Sequence, residues 1–388
     1  MDATTKIDFD FLREKVRKAI SPIQPSNDST TAKNDFLFSG KRAIGASELP
    51  DPYLIYFLLV DLLNFKDLGR FEKLAWSIPI DFDGRAFLIE HRKFGVGVFI
   101  QDDNDQTNAR RIAVLLGKGV RCARPYFKWK AEEAVAASKF NVVNNADALL
   151  GRYNYLRQLY EAKAAEAESR KEEVIETKFK NGSSYNRPFF ALLKESRWLA
   201  IAAIEAFFSW TEHVFVHFAI LKGSIQTGAD FSEASGAEWG KKLKLALDIS
   251  DHDLKKQYDK LVEIRRQLRN FIAHGAFGKS GETLHFHSSA GAVPVLLDAS
   301  DSKANFMLSE GLAFDAPKAF QAIEGFMNYL KTGSREPAWL YVQEFCLPLI
   351  MTMAQDGTYR RALRSSQAMN EFAEVLSARM DNAANMDW

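Results

Sequence analysis

The 388-residue sequence predicts an α+β fold that is mainly α, and three observations carry that prediction. Residues 188–222 are apolar nearly all round, as a helix in the middle of a bundle is, and 251–274 and 317–331 repeat apolar residues at helical spacing. Residues 76–100 instead alternate around Asp83-Gly84 and Lys93-Phe94-Gly95, which predicts a three-stranded antiparallel meander. A second alternating stretch, 283–287 and 292–297, predicts a small β-hairpin inserted between two helices. The length exceeds one typical domain, and hydrophobic residues at 47% suffice for two or three cores. The expected division is an N-terminal α+β domain over 1–146, serving as a sensor or RNA-contact domain, an antiparallel helical bundle over 147–334, and a helical extension over 335–388.

Taken in order, residues 6–20 fit a short amphipathic helix, and 21–32, rich in Ser, Pro, Thr and Asn, fit a linker or exposed loop. Asp51-Pro52 is a helix start, with proline at the first helical position. The run that follows, 53–65, is so continuously apolar that a buried helix and a core strand both fit it. The pair Gly95 and Gly97 lacks the third glycine of a dinucleotide loop, so it reads as strand packing or a bulge. Residues 147–180 predict one long helix ending at Asn181-Gly182. Asp315 is placed to cap a final bundle helix over 317–331, and 335–388 predicts two more helical stretches.

Composition narrows function. The formal charge is only +1, so nucleic-acid affinity has to come from local patches. One such patch is 109–130, with seven basic residues and no acidic one, including Arg110, Arg111, Arg121 and Arg124. Tyr126, Phe127 and Trp129 are interleaved at its end, where they fit either base stacking or a protein core. Cys122 and Cys346 form neither a metal spacing nor a disulfide framework. Residues 1–17 are charged, without a secretory apolar core, and the only stretch of membrane-spanning length, 198–221, carries Glu205, Glu212, His213 and His217. A cytoplasmic protein with no membrane partner is expected.

The chemistry concentrates in 265–275, Arg-Arg-Gln-Leu-Arg-Asn-Phe-Ile-Ala-His-Gly. Leu254, Tyr258, Leu261, Leu268 and Ile272 form one stripe of the helix leading into it. Gly275 is placed as the residue that ends the helix, which sets His274 in the last turn, where an imidazole titrates near neutral pH beside the negative helix end. Asn270 and His274 share a face; Arg269 is five residues from His274, about 140° around a regular helix.

Arg269-Asn270-Phe271-Ile272-Ala273-His274 resembles the Arg-polar-x-x-x-His signature of the HEPN superfamily, and the likeness extends over roughly 150–331. The resemblance implies a HEPN-like helical bundle and a metal-independent endoribonuclease of the toxin or anti-phage defence kind. It implies action on RNA as a homodimer, with an antitoxin or defence-system partner and no cofactor. Arg269, Asn270 and His274 become the catalytic set, Arg265 and Arg266 further RNA contacts, and Glu205 or Glu212 the acidic residue that holds the arginine. Silent members of that family make a non-catalytic RNA- or nucleotide-binding module the alternative. His213 and His217, four apart, offer a metal only two strong ligands beside Glu212, which favours structural histidines.

Overall fold

The computed structural model describes residues 7–27, 32–33, 35–44, 48–274, 285–289, 291–294 and 315–386; for 270–274, 285–288 and 291–294 it describes the backbone alone. The described chain is mainly helical with one five-stranded antiparallel sheet. It divides into two compact units, Met1–Ala137 with Glu374–Trp388, and Ser138–Ala373. The division expected at 146 therefore falls at 137, and 335–388 forms no unit of its own.

In the first unit Asp8 caps α1 (Phe9–Ile20), accepting from the backbone N–H of Asp10 and Phe11. Instead of a free linker, Ile23–Pro25 follows as β1, an edge strand whose Ile23 pairs with Phe82. The buried Ile23 accounts for it, and proline is tolerated on an edge. The short α2 (Phe36–Ser39) and β2 (Lys41–Arg42) precede α3 (Pro52–Tyr56), capped by Asp51. The apolar run then continues as a π-helical turn, Phe57–Leu62, so of the buried helix and the core strand that fit it the helix forms, with its second half wound as π. The meander is present as β3 (Leu74–Phe82), β4 (Arg85–Arg92) and β5 (Gly95–Ile100), in the order β1-β3-β4-β5-β2. Asp83 and Gly84 both take positive φ, 54° and 75°, as a two-residue hairpin turn requires.

One sheet face, with Trp76, Ile78, Ile80, Phe87, Ile89 and Val98, packs on α1, α3, the π turn and α4 (Gln106–Cys122). After α4 comes α5 (Arg124–Ala136). A Cβ added at Gly119 of α4 would lie 2.5 Å from Ile20 and 3.0 Å from Leu58, so that glycine sets how closely these helices approach. On the other face Glu90, 2% exposed, accepts from Ser77 Oγ at 2.9 Å and Arg92 Nε at 2.7 Å, satisfying a carboxylate that burial alone would penalise.

The second unit opens with β6 (Asn141–Val142) and α6 (Ala146–Ser169). The expected long helix stops there, and a hairpin follows, β7 (Ile175–Phe179) and β8 (Gly182–Asn186). Val174, Ile175, Thr177 and Phe179 favour extended backbone and overrule the helical charge pattern before them. Next is α7 (Pro188–Lys222), ended by Gly223 at φ 81°. It is the one helix among the described residues long and apolar enough to cross a membrane, and 56% of that window is buried within the fold. It contacts α6 most heavily, then α9 (Trp239–Ala246), which follows the short α8 (Gly228–Ser235). Its polar neighbours are paired: Trp210 Nε1 donates to Gln343 Oε1 at 3.0 Å and Trp239 Nε1 to Thr211 Oγ1 at 2.9 Å.

The helix α10 (His252–His274) is followed by the inserted hairpin, β9 (His285–Ser288) and β10 (Gly291–Pro294), and by α11 (Ala316–Lys331), whose N-cap is Asp315. The apolar stretch 339–353 is broken rather than one helix. It passes through α12 (Glu336–Trp339), a π turn, a positive-φ Cys346 and β11 (Leu349–Ile350), which pairs with β6. Three helices, α13 (Met351–Gln355), α14 (Thr358–Ala362) and α15 (Ser366–Asn385), complete the chain. From residue 374 on, α15 belongs to the first unit, where Met386 joins the core.

Candidate functional site

The site is built on α10. Asp251 starts the helix by accepting from Asp253 N and Leu254 N, and is itself fixed by Tyr329 Oη at 2.8 Å. Leu254, Leu261, Ile264 and Leu268 are buried, which orients the helix, and the α conformation persists to His274. The last turn is thus not loosened, and positions 269 and 274 stand about 140° apart. Arg269 is exposed and makes no ion pair among the described residues. The side chains of Asn270 and His274, like those of His285 and His287, lie outside the described residues.

Between α10 and α11 runs a cleft of about 760 Å³, lined by Lys260, Ile264 and Gln267 on one side and Lys318, Ala319 and Ala322 on the other. Positions 271 and 274 continue the row 260, 264, 267 at helical spacing, whereas 269 falls on the opposite side of the helix. One protomer therefore presents the arginine and histidine positions to different surroundings.

The acidic residue expected to hold Arg269 holds another arginine. Glu212 Oε1 accepts from Arg265 Nη2 at 3.0 Å, and Glu212 Oε2 from Lys242 Nζ at 3.0 Å. The Arg265 guanidinium also lies 5.7 Å from the Phe208 ring centre and 5.6 Å from that of Trp239. Arg265 is thereby a structural cation rather than a free RNA contact, and Arg266 pairs with Glu263 at 2.8 Å. Lys242 escapes notice in the sequence because it sits within the apolar pattern Trp239, Leu243, Ala246 and is itself almost buried. Burial and Arg335 lower the Lys222 pKa at the end of α7, opposed by Asp248 just before α10. With Asp248 in electrostatic reach of Lys222 and Arg265 bonded to Glu212, the two helices run antiparallel, so the turn carrying Arg269 runs from the level of Glu212 toward Glu205. Glu205 is exposed and makes no ion pair among the described residues.

The two histidines of α7 are committed to backbone groups. His217 faces the carbonyls of His213 at 2.9 Å and Val143 at 3.2 Å, and His213 Nε2 accepts from Asn145 N at 2.9 Å. Burial, then the neighbouring His217, pushes the His213 pKa down to about 3, and burial lowers that of His217 against its two carbonyl contacts. The His213 ring is neutral at neutral pH, and the two side chains tie α7 to 143–145. No group of three side chains able to hold a metal ion is found among the described residues.

Comparisons with protein-family models, curated proteins and solved structures find no match.

In the first unit Arg110, Arg121 and Arg124 are exposed, on α4 and at the start of α5, while Arg111 is drawn 3.8 Å from Asp83 and 5.0 Å from the Phe82 ring centre. The aromatic residues beside them belong to the core. Tyr126 is 6% exposed and its ring lies 5.7 Å from that of Trp129, which in turn meets Phe9 edge-on at 4.9 Å. The aromatics of 126–129 are thus not free to stack on bases, and two of the cations, Arg111 and Lys130, already lie over protein rings.

Proposed function

We propose that this protein is a metal-independent endoribonuclease, a cytoplasmic toxin or anti-phage defence effector acting as a homodimer. The observation that carries the reading is the exposed Arg269 on the same α-helix, α10, as His274, within the helical unit formed by α6, α7, α10 and α11. In the reaction the 2′-oxygen of RNA bonds to the adjacent phosphorus as the bond to the 5′-oxygen breaks. The 2′-hydroxyl proton is taken up and a proton is delivered to the leaving oxygen. His274 supplies a group of near-neutral pKa for these transfers, and Arg269 a fixed cation for charge growing on the phosphate. Asn270 positions the phosphate. Products are a 2′,3′-cyclic phosphate and a 5′-hydroxyl. Because one helix turns positions 269 and 274 apart, a two-fold pair of α10 helices is needed to bring an arginine and a histidine to one phosphate.

A second reading, a non-catalytic RNA-binding module, is favoured by one observation: Glu212 is spent on Arg265 and Lys242, which leaves Arg269 without that carboxylate to orient it. Purified protein incubated with total RNA in EDTA decides between them. His274→Ala and Arg269→Ala should each slow cleavage about 100- to 1000-fold. Wild-type cutting by the His274→Ala variant would overturn the nuclease mechanism and leave the binding module.

A further inference from the structure

We propose that the β7–β8 hairpin and the first turns of α7 are a stacking platform for an unpaired RNA strand; the choice of RNA rests on the ribonuclease reading. All ten hairpin residues are exposed, and among the described residues the two strands pair only with each other. Isolated two-stranded hairpins are marginal in water, so this one has no core to serve. It nevertheless displays rings: Phe179 is 63% exposed, Tyr185 68%, Phe190 62% and Trp198 57%. Together with Tyr155, these are the exposed large aromatics found among the described residues of the second unit. The stacking surface that the sequence suggests at 126–129, and that the core absorbs, is available here instead.

Charge selects the occupant. Between 176 and 198 stand Lys178, Lys180, Arg187, Lys194 and Arg197, all exposed, against only Glu176 and Glu195. Both carboxylates are engaged, Glu176 by Tyr185 Oη at 3.2 Å and Lys178 at 3.8 Å, and Glu195 by Lys163 at 3.2 Å. A surface with this cationic excess repels a second copy of itself and attracts a polyanion. Phe179, beside the turn, and Tyr185 lie on opposite faces of the ribbon, since Phe179 pairs with Gly182 and Tyr185 with Glu176. Bases splayed to either side of the ribbon reach both rings, which a single strand allows and a stacked duplex does not. The exposed Ser183 and Ser184 add hydroxyls within reach of sugar and phosphate.

The test measures binding apart from cleavage, using the full chain carrying His274→Ala and a fluorescent, unstructured oligoribonucleotide of about a dozen bases, followed by anisotropy. Phe179→Ala and Tyr185→Ala should each weaken binding about tenfold, and Phe179→Trp should retain it. Changing Lys178, Lys180 and Arg187 to Gln should flatten the slope of log affinity against log salt by about 2, at roughly 0.7 per lost contact. The corresponding duplex should bind more weakly. Because the substituted residues are all exposed, unfolding transitions should stay where they are, which circular dichroism checks. Affinity within twofold of the parent for the double Phe179→Ala/Tyr185→Ala variant overturns the proposal. So does loss of self-association in place of RNA affinity, and equal or tighter binding of the matching oligodeoxynucleotide overturns the assignment to RNA. Hairpin variants that bind and cut RNA normally would refute the platform while the nuclease stands. Hairpin-dependent binding by a chain that never cuts would do the reverse.

Discussion

Replacing Glu212 by glutamine should destabilise the second unit far more than any change at Arg269, and the structure sets the size. Glu212 is the common acceptor for Arg265 and Lys242, each at 3.0 Å, so glutamine removes the negative charge that both cations face and turns one of the two acceptor oxygens into an N–H donor. The two cations are not equivalent. The Lys242 side chain is 9% exposed, and stranding its ammonium should cost about 2–3 kcal/mol, below the full buried-pair penalty because Glu212 is partly solvated. Arg265 is 39% exposed and keeps its rings, so its share is about 0.5–1 kcal/mol. A total of about 3 kcal/mol corresponds to a Tm lower by roughly 6–12 °C for a unit of this size. Adding Lys242→Met should recover most of the lysine share, because the stranded charge is gone. Arg269→Ala should cost less than about 0.5 kcal/mol, as exposed substitutions do, and Arg265→Ala more than that. Urea unfolding combined with hydrogen exchange of the α7, α9 and α10 amides measures all four. A Glu212→Gln variant within about 0.5 kcal/mol of wild type would refute the clamp. Equal losses at Arg269 and Arg265 would return Arg269 to it.

Two further outcomes follow from packing and titration. The His213 pKa is depressed from its ordinary 6.5 to about 3, so below 6.5 the unfolded chain binds a proton that the folded chain refuses. Stability is then complete above about pH 6.5 and falls toward pH 3, by at most about 1.4 kcal/mol per pH unit for each histidine so placed; urea midpoints that stay level from pH 7.5 to 5 would contradict it. In α4, Gly119→Ala should lose about 1 kcal/mol, overpacking at 2.5 Å from Ile20 exceeding the gain in helix propensity. Gly117→Ala should instead gain up to about 1 kcal/mol, because the new Cβ meets only Arg121 at 3.6 Å; a reversed order of melting temperatures would show that the contact around Gly119 is not tight.

The sequence by itself determined the elements whose periodicity or turn chemistry is local. The meander around Asp83-Gly84, the full span of α7, and the caps at Asp51 and Asp315 all follow from residues near in the chain, because hydrogen-bonded turns and caps are local interactions, whereas the helix end expected at Gly275 lies outside the described residues. The β7–β8 hairpin is not among them: a helical charge pattern running into 175–179 makes 147–180 read as one helix. Tertiary structure alone decided which charged and aromatic groups are free. Glu212 could meet Arg265 or Arg269, one turn apart, and only the antiparallel approach of α7 and α10 with Lys242 from α9 selects Arg265. Tyr126 and Trp129 look in sequence like Phe179 and Tyr185, aromatics among cations. The first pair covers Phe9 and the sheet helices, the second is exposed with no element against it among the described residues, and that difference in what packs where is not written in the spacing of residues.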